Sequence, residues 1–161
     1  VLAPKAPQPD SALFRLGVPV LGICYGLQLM GAMLGGKVES SLQREYGRGN
    51  LRIIRKGKLF KGLPGEVCVW NSHGDRIVTL PKGFRAIAGT ENSDFAAIEN
   101  QERNFYGLQF HPEVVHTTCG TILLENFIFG ICKCNKNWIF YFKIIPDMKQ
   151  HRHIYYIKLI Q

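Results

Sequence analysis

The chain has 161 residues, of which 46% are apolar and 20% are charged, with a formal net charge of +8. This length allows one domain with its own hydrophobic core, and this composition excludes disordered and fibrous proteins. The charge does not indicate a nucleic-acid partner, because residues 133–161 hold 6 basic side chains and 1 acidic side chain and carry most of the excess. We therefore predict a folded domain over residues 1–132 and an unassigned basic, aromatic tail over 133–161.

The cysteines and the hydropathy pattern indicate the cellular setting. There are five cysteines, an odd number, and we find neither a secretion signal nor an apolar run of membrane-spanning length. These features predict a reduced, cytoplasmic protein with no membrane partner. Cys132 and Cys134 form a Cys-x-Cys pair without a second ligand pair at zinc spacing, so we predict no metal site.

The first elements follow one another closely along the chain. A proline-rich connector leads to a short helix that starts at Asp10 or Ser11. Residues 19–23 form an apolar run typical of a strand that is buried on both faces of a parallel sheet. From Tyr25 the apolar residues recur at helical spacing, and Gly35 with Gly36 supplies the stop.

The later elements are shorter. Turn residues separate five predicted strands, at 51–54, 67–70, 84–88, 95–99 and 105–110, and a closing helix follows at 121–131. This mixture predicts an α/β fold: an open, largely parallel sheet flanked by helices, with an antiparallel extension and a flavodoxin-like core.

A cysteine stands between the first strand and the first helix. Gly22 and Gly26 flank Cys24, a frame typical of a nucleophile elbow, in which a sharp turn leaves no room for side chains. The positive end of the helix dipole favours the thiolate there. The alternative is that Cys24 is a small buried apolar residue, which is the commoner state of a free cysteine.

A histidine and a glutamate at the end of the last predicted strand supply what a thiol nucleophile needs. In an extended segment His111 and Glu113 project to the same side, so Glu113 can orient the ring while His111 acts as a base. Pro112 stiffens the link between them. Taken alone, such a pair most often lies on the surface, and the upstream cysteine is what favours a catalytic role.

Several motifs in order resemble class I glutamine amidotransferases, and their spacing is similar to that of the GMP synthase branch. They are PVLGICYGLQLMGAMLGG from residue 19, REYG from residue 44, WNSHGD from residue 70 and HPEVVHT from residue 111. The resemblance implies that Cys24 attacks the glutamine amide to form a thioester, that His111 moves the protons and that Glu113 holds its ring. It also implies that the ammonia released serves the ATP-dependent amination of XMP to GMP.

The resemblance also implies how the substrate is held. The backbone N–H of Tyr25 would be an oxyanion donor, and a loop containing Ser72, His73, Gly74 and Asp75, together with Gln28, would bind L-glutamine. The alternative for this loop is a plain polar turn. The REYG motif and His116 are expected to serve either structure or contact with a synthetase domain.

The resemblance finally sets expectations about partners and completeness. The glutaminase step needs no cofactor, whereas ATP and Mg²⁺ serve an ATP pyrophosphatase synthetase domain or subunit that does not appear in this sequence. Family members carry a βαβ block with a glycine-rich loop ahead of the position of Val1, so we expect weak or no activity from this chain. Three alternatives stay open: an inactive truncated fragment, a related γ-glutamyl cysteine hydrolase, and a tail that contacts nucleic acid or a membrane surface.

Overall fold

Two neighbouring strands that run in the same direction, β1 (Val20–Ile23) and β6 (Phe105–Leu108), form one edge of a six-stranded sheet. The structure is a computed structural model that describes residues 1–135, 140–147 and 152–159, the last two stretches by their backbone alone. The other strands of the sheet are β2 (Lys37–Ile53), β3 (Glu66–Thr79), β4 (Arg85–Gly89) and β5 (Ala97–Asn100). Their order across the sheet is β1-β6-β5-β4-β2-β3.

The pairing in this sheet is more antiparallel than predicted. Within the described residues the β1–β6 ladder is parallel, and the β6–β5, β5–β4, β4–β2 and β2–β3 ladders are antiparallel. Parallel neighbours need a crossover of about a dozen residues or more, whereas short links such as residues 101–104 between β5 and β6 can only return the chain in the opposite direction. The α/β class is confirmed, and the expectation of a largely parallel sheet is corrected.

The helices lie where the sequence predicts them. A short 3₁₀ helix spans Ser11–Arg15, and the Asp10 side chain caps it by accepting from the N–H of Ala12 at 2.8 Å. Helix α1 (Tyr25–Met33) follows β1 after one residue and ends ahead of Gly35, whose φ of +93° favours glycine. Helix α2 (Gly120–Glu125) continues as a π-helical turn over Asn126–Ile131.

Strands β2 and β3 are much longer than the sequence indicated. They pair over most of their length, with Glu45 opposite His73 and Tyr46 opposite Ser72. The prediction of a loop at residues 72–75 was therefore wrong, because those residues lie within β3. Polar and glycine-rich strands give a weak sequence signal, and cross-strand backbone pairing is what stabilises the extended chain here.

The sheet separates two apolar layers. On one side, Tyr106 and Leu108 of β6 pack in a core that also contains Leu123 and Phe127 of the closing helical segment. On the other side, Leu27 of α1 packs with residues of β2, β3 and β5. A Cβ at position 107 would stand 2.2 Å from Leu27 Cδ1, so glycine at that position lets α1 lie directly on β6. This contact holds the start of α1 beside the end of β6.

Beyond the sheet, β7 (Phe140–Asp147) and β8 (Arg152–Leu159) pair antiparallel as a separate two-stranded sheet. Both fall in the tail for which the sequence predicted no element. The side chains of the predicted basic, aromatic tail beyond residue 135 lie outside the described residues. In the part of the chain that the structure describes, no helix is both long enough and apolar enough to cross a membrane.

Candidate functional site

Cys24 occupies the turn between β1 and α1 in a strained backbone conformation, with φ +49° and ψ −103°. Positive φ at a residue other than glycine costs on the order of 1–3 kcal/mol and persists only where neighbours enforce it. The N–H of Cys24 donates to the carbonyl of Leu108 at 2.6 Å, and the N–H of Gln28 donates to the Cys24 carbonyl at 3.2 Å. The end of β6 and the first turn of α1 thus hold the thiol at the carboxyl edge of the parallel pair.

The two glycines around Cys24 have different steric roles. A Cβ at Gly22 would lie 2.7 Å from the backbone of Gly26, so β1 can pass this close to α1 only with glycine there. A Cβ at Gly26 would meet nothing within 4 Å. The expectation that both positions exclude side chains is correct for Gly22 and wrong for Gly26.

His111 brings its ring to the thiol. Its side chain is in hydrogen-bonding contact with Cys24, and its Nδ1 lies 2.6 Å from Oε1 of Glu113. The segment forms a turn rather than the predicted extension of β6, yet the predicted contact between His111 and Glu113 is made. The thiol, the imidazole and the carboxylate therefore meet in the order that a Cys-His-Glu triad requires.

The electrostatics of the triad favour a charged imidazole. Burial acts to lower the pKa of His111, but the hydrogen bonds to Cys24 and Glu113 outweigh it and raise the pKa from 6.5 to about 10. Both side chains of the His111–Glu113 pair are about nine-tenths buried, which strengthens their attraction. At neutral pH His111 therefore carries two protons and can act as the acid for a leaving group.

The backbone of His111 is fixed by a residue that the sequence analysis did not single out. Thr117 Oγ1 donates to the His111 carbonyl at 2.6 Å and accepts from the N–H of Trp70 at 3.0 Å, while the N–H of His111 donates to the Trp70 carbonyl at 2.9 Å. Thr117 is buried and therefore ties the histidine turn to β3. Its position in the HPEVVHT motif was the available signal.

Glycine at position 120 lets α2 begin directly against the histidine turn. A Cβ there would stand only 1.9 Å from the carbonyl oxygen of Pro112. Any side chain at this position would push Pro112, and with it the neighbouring His111 and Glu113, away from α2.

Two polar groups besides His111 also contact the thiol of Cys24. Gln109 Nε2 lies 3.8 Å from Cys24 Sγ, and Gln28 Nε2 lies 2.8 Å from the carbonyl of Asp75 and 3.4 Å from Gln109 Oε1. Cys24 Sγ also lies 3.7 Å from the carbonyl of Ser72. Ser72 therefore contacts the thiol directly, and Gln28 links Gln109 to Asp75; the binding of a substrate by Gln28, Ser72 and Asp75 stays a prediction. Gln109 was missed, although a glutamine in an otherwise apolar buried strand end was a visible signal.

His73 and Asp75 make their side-chain contacts within β2 and β3. The His73 ring is buried, with Nε2 3.0 Å from Oε2 of Glu45 and Nδ1 3.2 Å from the Asp75 carbonyl. The Asp75 carboxylate accepts from the hydroxyl of Ser40 at 2.9 Å, and Gly74 packs beside Arg44. The structure therefore joins the REYG and WNSHGD motifs into one unit, and a direct contact between His73 and a substrate stays a prediction.

Tyr25, the predicted oxyanion donor, is the first residue of α1, so its N–H lies in the first turn beside the thiol. Its hydroxyl donates to the carbonyl of Pro7 at 2.7 Å. This hydrogen bond links the connector that precedes the 3₁₀ helix to the turn at Cys24.

Two of the remaining thiols, Cys119 and Cys132, have a raised pKa. Burial raises the pKa of Cys119, and burial followed by the charge of Cys134 raises the pKa of Cys132 to about 11. Thiols of this kind are poor nucleophiles at neutral pH. Among the side chains that the structure describes, no group of three or more His, Cys, Asp or Glu is placed to hold a metal ion.

Comparison with known proteins agrees with this geometry. The family model for "Glutamine amidotransferase class-I" matches residues 2–131. The chain is 54% identical over 138 residues to the GMP synthase [glutamine-hydrolyzing] of Aquifex aeolicus, covering 86% of this chain and 27% of that protein. It is 52% identical over 133 residues to the enzyme of the same name from Brachyspira hyodysenteriae, covering 83% and 26%. The chain thus spans about a quarter of the length of these curated relatives.

Solved structures agree as well. A crystal structure from Thermoplasma acidophilum, described as that of a GMP synthase subunit, superimposes with a TM-score of 0.72 at 35% identity, covering 75% of this chain and 60% of that one. A glutamine amidotransferase from Thermotoga maritima superimposes with a TM-score of 0.59 at 26% identity, covering 76% and 53%.

Proposed function

The chain belongs to the class I glutamine amidotransferases, and on that premise we propose that Cys24, His111 and Glu113 hydrolyse the side-chain amide of L-glutamine. The observation that carries the proposal is the contact of the His111 ring with both the Cys24 thiol and the Glu113 carboxylate. The strained turn at Cys24 presents a thiol, and the charged imidazole of His111 can donate a proton. Both features are needed for an acyl transfer.

The chemistry follows from the positions of the protons. The Cys24 sulfur attacks the side-chain carbonyl carbon of glutamine, and His111 gives its proton to the nitrogen as the C–N bond breaks, which releases ammonia and leaves a γ-glutamyl thioester. His111, now neutral, takes a proton from water. The hydroxide attacks the thioester, the C–S bond breaks, and glutamate leaves with the thiolate restored. Glu113 keeps Nδ1 protonated throughout, so that Nε2 is the nitrogen that exchanges protons.

The groups around the thiol fit a tetrahedral intermediate. The N–H of Tyr25, in the first turn of α1, would donate to the oxyanion, and one such donor is worth on the order of 3 kcal/mol to the transition state. Ser72 contacts Cys24, and Gln28 contacts Asp75; we assign the binding of the α-amino and α-carboxyl groups of glutamine to Gln28, Ser72, Gly74 and Asp75.

The similarity to GMP synthases extends the proposal to the larger protein. The ammonia would aminate XMP to GMP at the expense of ATP, on an ATP pyrophosphatase synthetase domain or subunit. ATP and Mg²⁺ would bind there, and the glutaminase step would use only side chains of this chain. A cytoplasmic site of action belongs to the same proposal. Identities above 50% to proteins named GMP synthase support this branch over a γ-glutamyl peptide hydrolase.

Labelling with a glutamine-mimicking chloroketone tests the proposal. Mass spectrometry should find the label on Cys24 before the other four thiols, excess glutamine should slow it, and the His111→Ala variant should react at least tenfold more slowly. Glutamate release by the same chain, alone and in the presence of a separate synthetase domain, measures turnover. Equal labelling of all five cysteines, or faster turnover of γ-glutamyl peptides than of glutamine, would contradict the assignment.

A further inference from the structure

We propose that Gln109 is a catalytic residue whose side-chain N–H stabilises the Cys24 thiolate, and that Gln28 and the main-chain carbonyl of Asp75 fix the orientation of the Gln109 amide. This inference rests on the proposed role of Cys24 as the nucleophile. It adds a catalytic residue to the triad. It also assigns Gln28 a role besides substrate binding, which is to orient the Gln109 amide.

The position of Gln109 is set by the strand end. Its side chain is 1% exposed, and its Nε2 lies 3.8 Å from Cys24 Sγ. Its N–H donates to the carbonyl of Ala96 at 2.8 Å, and it follows Leu108, whose carbonyl accepts from Cys24 itself. The backbone at residues 108 and 109 is thus tied to Ala96, just ahead of β5, and to the turn at Cys24. The amide has little freedom to leave the thiol.

The orientation of the amide follows from a chain of donors and acceptors. The Asp75 carbonyl can only accept, so the group of Gln28 at 2.8 Å from it must be Nε2 and not Oε1. Nε2 carries a second hydrogen, which points to Gln109 at 3.4 Å. The facing atom of Gln109 must therefore be Oε1, and its Nε2 is turned towards the sulfur. The Asp75 carbonyl thus orients the Gln28 amide, and the Gln28 amide orients the Gln109 amide. As a result, the Nε2 donor of Gln109 faces the Cys24 sulfur.

The carbonyl that starts this chain is itself held. Asp75 pairs with Ser40 in the β2–β3 ladder, and its carbonyl also faces Nδ1 of the buried His73 at 3.2 Å. The opposite ring nitrogen of His73 contacts Glu45. His73 and Glu45 therefore help to fix the Asp75 carbonyl, and through it the amides of Gln28 and Gln109. They act as positioning residues.

The donor matters because the sulfur has an opposing neighbour. The Ser72 carbonyl, 3.7 Å from Sγ, can bond to the protonated thiol but not to the thiolate. The Gln109 N–H does the reverse, since a donor binds an anionic sulfur more strongly than a neutral one. Removing it shifts the balance towards the thiol.

The test is the pH dependence of Cys24 alkylation by iodoacetamide in the full chain, read by mass spectrometry of the Cys24 peptide. This readout needs no turnover. In Gln109→Leu we expect the pH midpoint of alkylation to rise by about one unit, which means an approximately tenfold slower rate at neutral pH. Gln109→Glu keeps the shape but offers acceptors only, and we expect at least the same rise. Gln28→Glu, which cannot impose the amide orientation, should give a smaller rise in the same direction.

Asn100→Leu is the matched control, because it removes a buried amide beside the far end of β6, opposite Phe105. Its midpoint should equal that of the unsubstituted chain, with circular dichroism confirming the fold of each variant. If Gln109→Leu, or Gln109→Glu should the leucine variant unfold, keeps the unsubstituted midpoint, the inference is wrong and the nucleophile assignment stands. If Cys24 of the unsubstituted chain reacts no faster than Cys68, both are wrong.

Discussion

Glu45 and His73 face each other across β2 and β3, with Oε2 of the carboxylate 3.0 Å from Nε2 of the ring. Thr90 Oγ1 also donates to the carboxylate at 3.0 Å, and the other ring nitrogen faces the Asp75 carbonyl. Both ring nitrogens of His73 thus face acceptor oxygens. The contact joins two sequence motifs across the β2–β3 ladder.

Removing the carboxylate should destabilise the fold. Glu45→Ala leaves the buried ring of His73 and the hydroxyl of Thr90 without their acceptor, and we expect the free energy of unfolding to fall by about 1–3 kcal/mol. Urea denaturation measures it. Glu39→Ala is the control on the same strand, since Glu39 is half exposed and pairs with the exposed Lys37; a change of less than about 1 kcal/mol is expected there. Equal losses of stability in the two variants would mean that the buried contact of Glu45 stabilises the fold no more than the exposed one of Glu39.

The same pair predicts an acid dependence. Burial acts to raise the pKa of Glu45, but the hydrogen bonds from His73 and Thr90 outweigh it and hold the pKa below its ordinary value of 4.5. A depressed pKa means that the stabilisation is present above pH 4.5 and is lost as the pH falls through the folded-state pKa. In Glu45→Gln, urea midpoints should decline less between pH 5 and pH 3 than in the unsubstituted chain. Parallel declines would contradict this.

The raised pKa of His111 should be visible by NMR. Burial alone would lower it, yet its bonds to Cys24 and Glu113 raise it from 6.5 to about 10. Stabilisation from this group is therefore complete below pH 6.5 and lost as the pH rises through about 10. The ring proton of His111 should titrate near pH 10, and in Glu113→Gln the midpoint should fall. Titration near 6.5 in the unsubstituted chain would contradict the arrangement.

Glycine 120 should be intolerant of a methyl group. In Gly120→Ala the new Cβ would overlap the Pro112 carbonyl, so we expect a loss of about 1–3 kcal/mol in stability together with slower labelling of Cys24. Gly130→Ala is the matched control, because a Cβ there meets nothing within 4 Å; it should leave stability unchanged or raise it by up to about 1 kcal/mol. Thermal unfolding compares the two, and indistinguishable melting temperatures would show that the histidine turn yields easily.

Thr117 should act through His111. Thr117→Val keeps the size of the side chain but removes its hydrogen bonds to the His111 carbonyl and the Trp70 N–H. We therefore expect the free energy of unfolding to fall by about 1–3 kcal/mol. Labelling of Cys24 by the chloroketone should slow as the ring loses its position. Thr118→Val is the control, because the exposed Thr118 hydroxyl donates to the Cys68 carbonyl at 3.3 Å. It should change neither the stability nor the labelling rate appreciably. Slower labelling in both variants would point to a general loosening of the turn.

Local sequence determined the parts of this protein that depend on neighbours along the chain. The apolar run before Gly22, the helical spacing after Tyr25 and the glycines at 35 and 36 set the strand, the turn and the helix that present Cys24. His111 and Glu113 could be paired in advance because they are two residues apart. A family resemblance carried by four motifs did the rest of the functional prediction.

Only the tertiary structure decided which distant residues meet. The length of β2 and β3, the contact of Glu45 with His73, and the approach of Gln109 to Cys24 depend on strand register, which is a property of partners far apart in sequence. The steric difference between Gly22 and Gly26 is of the same kind, because it depends on what packs beside each position. Polar side chains give no periodic signal of their partners, so their contacts appear only when the sheet has formed.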